Sequence, residues 1–302
     1  MSPRLIRSLG EYRQACDAVR SAGERVGLVP TLGALHPAHQ SLMRAARLES
    51  DRVIVTIFVN PTQFGPGEDF ERYPRDLSAD LATCAAVGVD LVFAPERADM
   101  YPPGEATRVS VSGLTEGLCG PFRPGHFTGV ATIVTKLFAA TGACTAVFGR
   151  KDYQQLQVIR RLTRDLLLPV QIVEHPTERD PDGLAQSSRN RYLSAAERER
   201  ALSVPRALTA VCERFAAGEH DAARLTAVLG AELGGAELAI EYAELATAEG
   251  LERVSAGLVQ PRQVGAFVAV RVGNTRLIDN VILGVDRAPL ASSHAPRVGP
   301  RS

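Results

Sequence analysis

Residues 26–59 read VGLVPTLGALHPAHQSLMRAARLESDRVIVTIFV. The run Val26–Thr31 is a buried strand by its apolar continuity, and Gln40 to about Leu48 carries the apolar period of a helix. The run 52–59 is nearly continuous in β-branched and apolar residues, as expected of a parallel strand covered on both faces. Strand, helix and strand at this spacing make a βαβ unit. The pattern then repeats. A loop rich in Pro and Gly (60–74) leads to a helix around 77–87 and a strand at 90–94. A helix near 130–140, a strand at 145–148, a helix over 152–166 and a strand at 170–174 follow. Such alternation predicts an α/β fold, a Rossmann-like doubly wound parallel sheet. Ligands on such sheets sit beyond the carboxyl ends of the strands. Those ends carry the polar residues 31–39, 60–63 and 149–152.

The texture changes at PTERDPDGLAQSSRNR (176–191), which is too polar for a core. Two helical segments follow, about 194–217 and 222–233, then strands at 238–245, 265–272 and 276–283. That order predicts a second, smaller α+β C-terminal domain. The expected division is a nucleotide- and acid-binding domain over 1–177, the smaller domain over 178–285 carrying the SSRN loop as a lid, and a disordered tail over 286–302.

Length, 302 residues, suits two domains. Lys+Arg and Asp+Glu both number 34, and aromatic residues are 5%. A nucleic-acid binder normally carries a basic excess and a stacking platform, so that partner is not expected. No apolar run approaches the roughly 18 residues of a membrane span, and no secretory pattern opens the chain. Five scattered cysteines without a CxxC read as free thiols, and the expectation is a soluble cytoplasmic protein. Of the basic residues only Lys136 and Lys151 are lysines. In a chain that defaults to arginine, a lysine in a suggestive context carries information.

Four segments carry chemistry. His36 and His39 fall three residues apart at a helix start, where free N–H groups and the positive dipole end receive phosphate. Capping or surface histidines would give the same pattern, and a third ligand for zinc is missing. Gly149-Arg150-Lys151-Asp152 enters a helix from a strand end. Lys151 could neutralise phosphate there, and Asp152 could hold ribose hydroxyls or cap the helix. Ser187-Ser188-Arg189 suits an anion clamp. Asn60 and Gln63 place neutral amides at a strand end, able to recognise hydroxyl and carboxylate oxygens or to serve a turn.

The runs VPTLGALHPAHQSLMRAAR, VTIFVNPTQFGPGEDFERYPRDL, RPGHFTGVATIVTKLF, FGRKDYQQLQVIRRL, DGLAQSSRNRYLS and RVGNTRLIDN resemble, in order, those of the pantothenate synthetase (pantoate–β-alanine ligase) family. That family lies in the HxGH nucleotidyltransferase superfamily. The resemblance runs from about residue 4 to about 284. It implies a homodimeric ligase that uses ATP, with Mg2+, to join pantoate and β-alanine through a pantoyl adenylate, releasing pyrophosphate and AMP. It further implies that His36, His39, Lys151, Ser187, Ser188 and Arg189 handle the phosphates. Leu32, Gly149, Asp152 and Gln186 would face the nucleoside; Asn60, Gln63 and Gln155 would bind pantoate, with Tyr73 and His126 nearby. A phosphate-acceptor nucleotidyltransferase is the rival on the same sheet, disfavoured because amides replace arginines at the acceptor site. A ligase for a different hydroxy acid or amine is another.

Four residues depart from the family pattern: Leu32 for Met, Ala38 for Gly, Arg150 for Glu and Gln186 for Met. Leu32 conserves volume, and Arg150 is expected to point to solvent. Ala38 adds a methyl, and Gln186 an amide, where adenine contacts are expected. Restoring both, Ala38→Gly with Gln186→Met, is expected to tighten ATP binding by about 1–2 kcal/mol without changing the acid accepted; steady-state kinetics over ATP and over several hydroxy acids checks both halves.

Overall fold

The structure is a computed structural model that describes residues 2–235 and 237–290. The chain forms two compact units. The first takes the residues up to 178 with 186–191 and 249–252; the second takes 179–185, 192–248 and 253 onward. The SSRN loop, assigned on composition to the second domain, thus groups with the first.

In the first unit, strands β1 (Arg4–Ile6), β2 (Val26–Thr31), β3 (Arg52–Ile57), β4 (Leu91–Phe93), β5 (Cys144–Gly149) and β6 (Val170–His175) form one sheet. Their order is β1-β4-β3-β2-β5-β6, and every pairing is parallel. The expected doubly wound sheet is therefore present. Helices α1 (Leu9–Ser21), α2 (Pro37–Glu49), α3 (Leu77–Ala86), the short α4 (Arg97–Met100), α5 (His126–Thr141) and α6 (Tyr153–Asp165) accompany it. Met43 and Ala46 of α2 and Cys84 of α3 pack against Val29, Val53, Val55, Val92 and Val147 of the strands. Tyr12 of α1 stacks on Phe93 with centroids 4.1 Å apart, and its hydroxyl meets Thr141 Oγ1 at 2.6 Å.

Three elements escape the sequence pattern, the four-residue α4 among them. β1 is only three residues long, and α1 buries just Tyr12 and Cys16, too thin an apolar stripe to announce a helix. Helix α5 also begins earlier than its apolar run, at His126, with Gly125 at φ 80° in the preceding position.

The second unit contains α7 (Ala195–Ala201), α8 (Ser203–Ala216) and α9 (Ala222–Gly234), with an antiparallel sheet β7 (Ala239–Thr247), β8 (Val264–Val272) and β9 (Thr275–Ile282). The smaller α+β unit matches expectation. The helix expected over 194–217 breaks at Leu202, because Pro205 lacks an N–H and its ring crowds the carbonyl four residues back, so α8 must restart just before it. Arg179 forms a two-pronged ion pair with Asp279 at 2.6 and 3.0 Å. Residues 286–290, given to the tail on composition, are tied down. Asp286 accepts from Ile282 N–H at 2.7 Å, and Leu290 N–H donates to Thr209 Oγ1 at 3.1 Å. The rest of the expected tail lies outside the described residues.

Helix α5 and the turn after β3 touch through backbone. A Cβ at Gly129 would stand 2.2 Å from Thr62 O and 2.7 Å from Gln63 N, neither of which can yield as a side-chain tip can. Gly129→Ala should therefore push the 60–63 turn off the helix and cost about 1–3 kcal/mol of stability. Urea unfolding measures the cost; an unchanged midpoint would count against the contact.

Candidate active site

Strand β2 pairs with β3 on one side and β5 on the other, and the chain leaves β2 and β5 toward opposite edges. Such a switch point opens a crevice at the strand ends. There the first unit holds a cavity of about 240 Å³. All fifteen residues assigned to the site from sequence line it: Leu32, His36, His39, Asn60, Gln63, Tyr73, His126, Gly149, Lys151, Asp152, Gln155, Gln186, Ser187, Ser188 and Arg189.

The loop from β2 to α2 is bent by Gly33 (φ +84°) and Ala34 (φ +53°). Asp80, buried at the start of α3, holds it: Ala34 N–H and Leu35 N–H donate to its two oxygens at 3.1 and 2.7 Å. Any side chain at Gly33 would meet Asp80 Oδ2 at 2.8 Å. Left-handed backbone at Ala34 costs about 1 kcal/mol, which these charge-assisted bonds offset. No sequence signal marked Asp80.

The loop delivers His36 to the cap of α2 and His39 to its first turn, with ring centroids 4.1 Å apart. His36 N–H donates to His39 Nδ1 at 3.2 Å. The lone pair therefore sits on Nδ1 and the proton on Nε2, which makes His39 a neutral donor. Burial, reinforced by His36, pushes its pKa down to about 3.

From β5, Gly149 leads into a single 3-10 turn and then α6. Asp152 stands at the cap of α6, yet its side chain makes no capping bond. Burial alone would raise its pKa, but Lys151 and then Arg189 outweigh that and hold it below the usual carboxylate range. Lys151 Nζ lies 3.8 Å from Asp152 Oδ2. Arg150 does not point to solvent as expected. It is 7% exposed, outside the cavity, with Nε 4.0 Å from Glu174 Oε1. Register explains this: Phe148 pairs with Glu174 of β6, which brings that carboxylate beside the turn.

The amide side differs from expectation in one respect. Asn60 is fully buried and has no valence left for a ligand. Its Nδ2 donates to Gln63 Oε1 at 3.0 Å and Gly129 O at 3.1 Å; its Oδ1 accepts from Thr62 N–H, Thr62 Oγ1 and Tyr101 OH. Asn60 orients Gln63. Asn60 Nδ2 fixes where Gln63 Oε1 points, and thereby turns the Nε2–H2 donors the other way. His126 is likewise committed: Nδ1–H donates to Gln63 O at 2.8 Å, and Nε2 accepts from Arg123 Nη1 at 3.0 Å. Burial and Arg123 together lower its pKa to about 4.

Arg123, which also lines the cavity, was not marked by sequence. It grips Glu68 through two bonds of 2.7 and 2.6 Å. Arg189 is matched in the same way by Asp69, at 3.0 and 2.8 Å, and Tyr73 OH lies 3.4 Å from Ser188 Oγ. Residues 68–73 thus hold both arginines, a role that their Pro- and Gly-rich flanks disguise as turn chemistry. Val130, Ile133, Val134 and Leu137 supply an apolar wall from α5. Among the described residues no group of three or more His, Cys, Asp or Glu could hold a metal ion, and no helix is long and apolar enough to cross a membrane.

The profile of the family described as pantoate-beta-alanine ligase matches residues 4–282. The chain belongs to this family. Pantothenate synthetase of Roseiflexus castenholzii is 52% identical over 284 residues, covering 93% of this chain and 99% of that one. A solved pantothenate synthetase from Thermus thermophilus superposes with TM-score 0.87 at 45% identity, over 92% of this chain and 99% of that one. The pantoate-beta-alanine ligase of Francisella tularensis, solved in complex with beta-gamma ATP and beta-alanine, gives TM-score 0.74 at 31% identity, over 93% and 98%.

Three of the four departures from the pantoate–β-alanine ligase pattern, Leu32, Ala38 and Gln186, line the cavity. Gln186 Oε1 is buried with no hydrogen-bond partner among the described residues, a cost that an apolar side chain would not incur.

Two of the site histidines carry a pH signature. Unfolded, each binds a proton near pH 6.5; folded, His39 does so only near 3 and His126 near 4. Between those values the unfolded chain holds more protons, so stability is present above pH 6.5 and is lost as pH falls toward 4. Urea midpoints from pH 4 to 8 should climb and then level off, and His126→Asn should flatten the climb.

Proposed function

We propose that this enzyme condenses pantoate with β-alanine at the expense of ATP, through a pantoyl adenylate. The observation that carries the proposal is that one cavity is lined by two kinds of group. Lys151, Arg189 and the two histidines at a helix N-terminus share it with Gln155 and with Gln63, whose amide Asn60 orients. Cations and N–H donors suit a triphosphate, and neutral amide N–H groups suit the hydroxyl and carboxylate of a small hydroxy acid.

In the first step the pantoate carboxylate attacks the α-phosphorus, the bond to the β-phosphate oxygen breaks, and pyrophosphate leaves. Charge grows on the α-phosphate oxygens. The Nε2–H of neutral His39 can donate to them without first losing a proton, and Lys151 supplies the positive charge. Arg189 must exchange the Asp69 carboxylate for phosphate, with Ser187 and Ser188 adding hydroxyl donors. In the second step the free amine of β-alanine attacks the acyl carbon, AMP leaves with the bonding pair, and the amine gives up a proton. No enzyme nucleophile is required, since ATP provides the leaving group. The apolar wall from α5 keeps water from the mixed anhydride, which would otherwise hydrolyse.

Magnesium enters this reading as part of the nucleotide substrate. Such an ion keeps most of its ligands from phosphate and water and needs one or two carboxylates. Asp152, held ionised beside Lys151, fits that demand. The 186–191 loop would serve as the closing element, and a homodimer is the assembly that goes with the reading.

Pantoate-dependent pyrophosphate release, followed by β-alanine-dependent formation of AMP and a product of pantothenate mass, tests the proposal directly. His39→Ala and Lys151→Ala should each lower the rate of pyrophosphate release by about 10²–10³. Gln63→Ala should raise KM for pantoate by roughly tenfold, the value of about 1–2 kcal/mol for a lost buried partner, while KM for ATP holds. A rise confined to ATP would overturn the assignment of Gln63 to the acid.

A further inference from the structure

Of 34 basic residues only two are lysines, and Lys151 alone belongs to the cavity. Lys136 lies on α5, where its Nζ donates to Met100 O at 2.6 Å and to Glu105 Oε1 at 2.9 Å. The same Nζ sits 4.3 Å from the centroid of the Tyr101 ring. The Tyr101 hydroxyl donates to Asn60 Oδ1 at 2.8 Å and lies 3.0 Å from Thr62 Oγ1. Asn60 Nδ2 then donates to Gln63 Oε1. A chain of four side chains thus runs from Lys136 on α5 to the Gln63 amide that lines the cavity.

We propose that Lys136 and Tyr101 are positioning residues for substrate recognition, setting through Asn60 which end of the Gln63 amide faces the acid. The logic is one of polarity. An amide has a donor end and an acceptor end of nearly equal size, so only its partners decide which way it points. Gln63 presents Nε2–H2 because Asn60 Nδ2 claims its oxygen. Asn60 points Nδ2 that way because Gly129 O takes its second hydrogen while Thr62 N–H and two hydroxyls donate to Oδ1. Of those two hydroxyls, that of Thr62 belongs to the same turn and moves with it. Tyr101 belongs to another element and anchors the turn from outside.

The lysine suits its place. A compact ammonium can cap a backbone carbonyl, pair with a carboxylate and lie over a ring face at once, whereas a planar guanidinium spreads its donors in a fixed fork. Burial raises the pKa of Tyr101, which keeps its hydroxyl a donor at neutral pH. None of these groups needs to touch a ligand.

The inference rests on Gln63 as the acid-binding amide, and the tests separate the two ideas. Tyr101→Phe and Lys136→Met should each raise KM for pantoate by about 3- to 10-fold, the worth of one net hydrogen bond, with KM for ATP and kcat nearly unchanged. In a Gln63→Ala background neither change should matter further. Lys136→Arg should rescue only in part. Additive effects in that background would overturn the proposal, as would an equal rise in both KM values. A readout independent of the acid is the Gln63 side-chain NH2 signal in amide NMR, assigned by its loss in Gln63→Ala. It should shift or broaden in Tyr101→Phe and in Lys136→Met, and an unmoved signal overturns the proposal even if a different hydroxy acid proves to be the substrate. If the parent protein is inert with pantoate while that signal moves, the substrate reading fails and the positioning chain stands.

Discussion

Parallel pairing of β2 with β5 is the constraint on which the site depends. Gly27 pairs with Thr145 and Leu28 with Ala146, so two strands far apart in sequence end side by side. Each is followed by a turn into a helix, and the two turns carry His36 and His39 in one case and Lys151 and Asp152 in the other. A parallel sheet aligns the carboxyl ends of all its strands. The switch of direction at this pair leaves the space above them free of a crossing connection. The cavity is a consequence of that topology before any side chain is specified.

What the side chains add is fixed polarity. His39, Gln63 and His126 are all groups whose hydrogen-bonding sense is ambiguous in isolation. Each is resolved by one neighbour: the His36 N–H, the Asn60 amide and the Gln63 carbonyl. The two bonds at Gln63 are buried, where a mismatched donor or acceptor would cost about 1–3 kcal/mol. The cavity lining is therefore preorganised by its supporting bonds, the condition under which fixed donors stabilise charge without reorganising. The arginines are arranged differently. Arg123 and Arg189 are each gripped through two bonds by a carboxylate of the 68–73 segment, so the strongest cations in the cavity rest on protein until an anion competes for them.

Much of this was legible early because the signals were periodic or chemically unusual. The β-branched run 52–57 and the apolar stripe of α2 are strong patterns, and histidines or a rare lysine at strand ends stand out by type. The thin elements were not legible. α1 buries two side chains, and β1 has three residues whose strand character comes only from pairing with β4. Asp80 and Tyr101 gave no signal, since each acts on residues more than 40 positions away in sequence. Arg150 carries no mark of burial in the string, because its burial depends on Glu174 arriving from β6.

Sequence by itself determined the alternation of elements, the kinds of chemistry available and the points in the chain where they occur. Those follow from local periodicity and residue type, which a linear string contains in full. Tertiary structure alone decided which of those residues meet the cavity with a free valence. Asn60 and Gln63 are both neutral amides three positions apart, and nothing in the string tells them apart. The fold buries one with every donor and acceptor satisfied and leaves the other with its amino group to offer, because hydrogen-bond capacity is assigned by neighbours in space.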